Sequence, residues 1–65
     1  MKLKNFTELL TKEGVSNYCI NYFTDKKIYE LYIILGYLDF TVKGLNLKDL
    51  YSNFYEKLTY YREFS

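Results

Sequence analysis

Apolar residues recur along this chain at spacings of three and four. Ile28, Leu31, Leu35, Leu38 and Val42 make one such stripe, and Leu47, Leu50, Tyr51, Phe54, Leu58 and Tyr61 make another. Around the first stripe, Tyr32, Ile33, Ile34, Tyr37 and Phe40 add apolar surface on other sides. A helix that apolar would be covered on more than one face. Gly14, Gly36 and Gly44, each close to small polar residues, punctuate the pattern.

The pattern predicts an all-α domain of four helices with a central apolar third helix. The first helix runs from about Phe6 to Glu13, with Asn5 as N-cap and Glu8 three residues on. Gly14 stands where a left-handed residue ends a helix, and Val15 is placed to pack back on Leu10. The second helix spans roughly Asn17 to Phe23 behind Ser16. The third starts after Thr24, with Asp25 at its positive end, and continues to about Lys43 before Gly44 and Leu45. The fourth starts after Asn46, carries Asp49 at its third position and continues to about Phe64. Val15 with Ile20, Phe23 with Ile28 and Leu45 with Leu50 flank the three later caps at the spacing of a hydrophobic staple.

A second reading is α+β: helix, three-stranded meander, helix. Tyr18, Ile20 and Tyr22 alternate with Cys19 and Asn21, and Leu38, Phe40 and Val42 alternate with Asp39, Thr41 and Lys43. Tyrosine, isoleucine, valine and threonine favour strands. Thr24 to Lys27 would make the first turn. The second would fall near Leu35-Gly36, which has no Asn-Gly or Asp-Gly signal. The helical order is therefore the primary expectation.

Composition shifts attention from chemistry to contact. Nine tyrosines and five phenylalanines stand among 65 residues, with no histidine, tryptophan or proline. Each ring buries roughly 150–250 Å², and a domain of about this size buries only about 60% of its unfolded surface. Some rings must therefore lie outside, where tyrosine suits half-wet contact surfaces. Without histidine the commonest general base and metal ligand is missing. Cys19 is alone, so it forms neither an internal disulfide nor a zinc site. No glycine-rich phosphate loop appears. A non-catalytic chain without cofactor or metal is expected.

Nine basic and eight acidic side chains give a formal charge of +1, spread without blocks. That balance lacks the basic excess usual in nucleic-acid binders. The segment Met1 to Phe6 has no apolar core of a signal peptide, and the uncharged run Leu31 to Leu38 is too short to span a bilayer. A single cytoplasmic domain over residues 1–65, without membrane attachment, is the expectation.

Two functions follow. In the fourth helix Tyr55, Tyr60 and Phe64 fall off the buried stripe, beside Lys57, Arg62 and Glu63. That is the make-up of an interface centre with a charged rim. The expected function is binding to another protein, as an inhibitor or modulator of the kind phages or mobile elements encode, with homodimerisation. Tyr55, Tyr60 and Phe64 would anchor the partner, and Lys57 and Arg62 would steer it. In the alternative, the stretch from Leu9 to Phe23, with Gly14 at a tight turn, Val15 after it, and Ile20 and Phe23 at buried positions, resembles a helix-turn-helix unit. The resemblance implies a DNA-binding regulator. Ser16, Asn17, Tyr18, Asn21 and Tyr22 would then face the major groove, with Lys26 and Lys27 at phosphates.

Overall fold

Helix α1, Leu3–Lys12, stops where its glycine makes it stop. The computed structural model describes residues 1–64. Gly14 takes a left-handed φ of 86°, its N–H donates to Thr11 O at 2.9 Å, and the Val15 N–H donates to Leu10 O at 3.0 Å. These two bonds define a Schellman stop, which satisfies carbonyls the helix leaves unpaired. Val15 and Leu10 are both buried in one core, as the sequence implies. The start differs: α1 begins behind Lys2, which makes no side-chain cap, so Asn5 lies within the first turns.

Helix α2, Leu47–Phe64, begins where Asn46 predicts. The Asp49 N–H donates to Asn46 Oδ1 at 2.8 Å, and the Leu45 N–H donates to Asp49 Oδ2 at 3.4 Å. Leu45 itself is exposed, so no staple onto Leu50 forms.

Between the helices the all-α expectation fails. Strands β1 (Asn17–Phe23), β2 (Ile28–Leu35) and β3 (Leu38–Gly44) form an antiparallel meander in the order β1-β2-β3. The architecture is α+β, and neither the second helix nor the central apolar third helix exists. Two turns make the sheet. Phe23 and Ile28, spaced like a staple, are instead the cross-strand pair that closes the first hairpin. In the second hairpin Gly36 and Tyr37 form a two-residue loop between the paired Leu35 and Leu38. Gly36 carries a φ of 64°, the positive angle that a type II′ turn requires at its first central residue.

Alternation sorts the side chains. Leu31 and Ile33 of β2, with Phe40 and Val42 of β3, point to one face and are buried with Phe6, Leu10, Val15, Leu47, Leu50, Phe54 and Leu58. Both helices therefore lie on that face. Cys19, Asn21, Glu30, Tyr32, Ile34, Asp39, Thr41 and Lys43 have the opposite parity. Strand β1 is different again: only Ile20 on it is half-buried, so the helix layer leaves this edge open.

The first turn stores some strain. Lys27 has a φ of 55° and donates its N–H to Phe23 O at 2.7 Å. A side chain with Cβ there costs roughly 1 kcal/mol relative to glycine. Lys27→Gly is therefore expected to raise the unfolding free energy by up to about 1 kcal/mol in urea titration. A decrease would show that the Lys27 side chain itself stabilises the turn.

Candidate protein-binding surface

With about 100° between successive residues, the residues outside the buried stripe of α2 fall on two flanks. One flank meets β3. Asn53 Nδ2 donates to Lys43 O at 2.7 Å, and Lys57 Nζ donates to Thr41 O at 3.3 Å while lying 5.4 Å from the Phe40 ring centroid. Farther along this flank, Tyr60 and Phe64 pack one helical turn apart, with ring centroids at 4.9 Å. They are 59% and 73% exposed. Tyr61, next to them, turns inward and stacks on Phe40 at 5.5 Å.

The other flank meets α1. Arg62 Nη1 lies 2.9 Å from Glu13 Oε2, and Arg62 Nη2 donates to Glu13 O at 3.2 Å. This contact ties the end of α2 to the stop of α1, and its exposure limits its worth to about 1 kcal/mol or less. Tyr55 sits on the same flank against Tyr51, at 6.1 Å, and Tyr51 meets Phe6 edge-on at 6.4 Å. The five residues singled out in sequence are thus divided. Tyr60, Phe64 and Lys57 come together, while Tyr55 and Arg62 face elsewhere, with Arg62 already engaged.

Two phenols are held neutral above their ordinary range. Burial chiefly raises the Tyr51 pKa, helped by the charges of Glu13 and Tyr55. On the outer face Tyr32 Oη donates to Asp39 Oδ2 at 3.1 Å, and this hydrogen bond is the main cause of its raised pKa, with burial and the Asp39 charge adding. Both are hydrogen-bond donors at neutral pH. An open hollow of about 350 Å³ is lined by Leu35, Tyr37, Leu38, Leu58, Tyr61 and Arg62. Its one charged side chain is the Arg62 that holds Glu13, and the hydroxyls of Tyr37 and Tyr61 are its other polar side-chain groups.

The residues assigned to DNA do not form a reading helix. Asn17 and Asn21 lie on the outer face of β1, Tyr18 lies on the helix side, and Lys26 and Lys27 occupy the first turn. Ser16 precedes the strand. A helix-turn-helix needs residues 17–23 to be helical, and here all of them pair with β2. The resemblance ends at the glycine stop.

Sequence reasoning missed Asn53, which only its distance to Lys43 O reveals. It also missed the exposed Tyr32 and Ile34 on the outer sheet face, whose signal is the period-two alternation of β2. No family model, curated protein or solved structure matches the chain. Among the described residues no helix is long and apolar enough to cross a membrane.

Proposed function

We propose that this protein is a non-catalytic binding module whose β3-facing flank of α2 covers the working surface of another protein, as an inhibitor or modulator. The observation that carries the reading is the exposed Tyr60–Phe64 pair. Two packed rings present apolar area without ordering a flexible chain, which is what interface anchors do. Lys57 and Asn53, bonded to β3, tie the preceding turns of the same flank to the sheet. Tyr55 and Arg62 are outside this surface.

The test is the double substitution Tyr60→Ser with Phe64→Ser, compared with the wild type as immobilised bait. One anchor of about 2 kcal/mol corresponds to roughly thirtyfold in affinity. Capture of the wild-type partner should fall by at least that factor, while circular dichroism and the melting temperature stay nearly unchanged. Equal capture by both proteins would remove this flank as the interface.

A further inference from the structure

The two edges of the sheet are treated differently, and the difference can be traced bond by bond. A two-residue hairpin loop closes on a hydrogen-bonded pair, here Leu35 with Leu38. Antiparallel pairs alternate between bonded and non-bonded, so Ile33–Phe40 and Leu31–Val42 are the next bonded pairs. The N–H and C=O groups of Asp39, Thr41 and Lys43 consequently point out of the sheet at the β3 edge. Two of those carbonyls, Thr41 O and Lys43 O, are the ones that Lys57 and Asn53 reach from α2. Side chains of α2 thus cover part of this edge, and it carries Asp39 and Lys43 as charges.

The same alternation runs through β2 to the other edge. Ile34, Tyr32, Glu30 and Ile28 turn their backbone groups to β1, where they meet Asn17, Cys19, Asn21 and Phe23. Tyr18, Ile20 and Tyr22 therefore direct their N–H and C=O groups away from the sheet. Among the described residues no side chain bonds to them. Proteins usually blunt such an edge with lysine, proline, a bulge or a covering segment. Strand β1 has none of these: seven uncharged residues without proline, in unbroken register, with Tyr18 and Tyr22 exposed.

The geometry points to a second copy of this chain as the occupant of that edge, paired β1 to β1 in antiparallel fashion about a two-fold axis at Ile20. Ile20 is the midpoint of Asn17–Phe23, and the residues that expose backbone groups lie symmetrically about it. Centred there, Ile20 bonds to Ile20 and Tyr18 bonds to Tyr22 of the second copy, so every outward N–H and C=O on both strands finds a partner. A register centred on Cys19 or Asn21 leaves some without one. Because β1 carries no charge, self-pairing brings no like charges together, which directly opposed charges would make unfavourable. The axis stands perpendicular to the joined sheet, so both helix layers lie on one side. The Tyr18–Tyr22 pairs and the Ile20 pair then fill the trough between them. The interface is isologous, the commonest form for a soluble dimer, and it uses a surface separate from Tyr60 and Phe64.

The register makes a covalent prediction. On the outer face Cys19 stands opposite Asn21 of the second copy in a non-bonded pair, with Cα atoms at about 4.5 Å. That separation suits a disulfide. The two Cys19 residues lie diagonally at about 7–8 Å, too far apart. Under mild oxidation Asn21→Cys should run as a disulfide-linked dimer on a non-reducing gel, with Cys19 bridged to the new thiol of the other chain. Wild type and Asn17→Cys should not crosslink. In sedimentation equilibrium the wild type should show twice the 7.9 kDa of one chain. Tyr18→Lys with Tyr22→Lys, which sets lysines opposite lysines at exposed positions, should weaken the dimer at least tenfold with an unchanged circular dichroism spectrum. A wild type that stays monomeric up to millimolar concentration would overturn the proposal and leave the edge to a strand from another protein. So would a dimer unaffected by the two lysines, or crosslinking through Asn17→Cys in place of Asn21→Cys.

Discussion

Gly44→Ala is expected to lower the unfolding free energy by about 3 kcal/mol, at the upper end of what overpacking usually costs. A Cβ at Gly44 would lie 2.5 Å from Leu50 N, 2.7 Å from Leu50 Cα and 3.0 Å from the Asp49 carbonyl carbon. All three are backbone atoms, so no rotamer change relieves the clash and the first turn of α2 has to move. That turn carries the Asn46 cap and places Leu50, which is fully buried. The last residue of β3 and the start of α2 are thus packed at a distance only a hydrogen permits. At about 4–8 °C per kcal/mol for a domain of roughly this size, the melting temperature should fall by more than about 10 °C. A drop of under about 4 °C would mean that α2 can shift on the sheet without loss. Gly14→Ala and Gly36→Ala make a useful contrast. Their Cβ atoms would meet nothing within 4 Å, so only the positive φ penalises them, by roughly 1–2 kcal/mol.

The ends of this fold are legible in the sequence and the middle is not, for reasons specific to particular residues. The Gly14 stop and the Asn46 cap are local events, fixed by hydrogen bonds within a few residues, so local chemistry suffices to find them. The stripe Leu31, Leu35, Leu38 and Val42 misleads because a two-residue hairpin imitates a helix. Every second inward residue of a strand is four apart, and the closing pair Leu35–Leu38 across the turn is three apart. Spacings of four, three and four then read as a helical face, although Ile28, the first member, closes the first hairpin instead. The deciding signal was Gly36-Tyr37. Glycine at the first central position supports a type II′ turn as well as Asn-Gly supports type I′. Tyr29, Tyr32, Ile33 and Ile34, dense in strand-favouring types, point the same way.

The candidate surface was legible only in part. That Tyr60 and Phe64 lie off the buried stripe of α2 follows from helical spacing alone. That Lys57 belongs with them and Arg62 does not depends on which element flanks each side of the helix. Once residues 17–44 become a sheet, one flank of α2 faces β3 carbonyls and the other faces the Glu13 end of α1. The open edge at β1 has no counterpart in a helical reading, because an edge exists only where there is a sheet.

Phe54→Ala is expected to leave the chain largely unfolded. Phe54 is fully buried, with its ring centroid 6.2 Å from that of Phe40 and 5.7 Å from that of Tyr51. It joins α2 to the inward face of the sheet and to the aromatic contact with α1. Truncating a buried phenylalanine costs about 3–5 kcal/mol through lost transfer energy and the cavity left behind. The single core of a domain this short rarely supplies more than about 3–5 kcal/mol, so the truncation removes all or nearly all of it. The far-ultraviolet signal should therefore show a broad or missing thermal transition, and proteolysis should accelerate sharply. A cooperative melt close to wild type would show that the core refills the space and that Phe54 does not hold the two layers together. Set beside Tyr60→Ser with Phe64→Ser, the comparison separates the two roles of aromatic residues on one helix. The inward ring decides whether the protein folds. The outward pair, at 59% and 73% exposure, has little burial to lose on folding and is available to a partner.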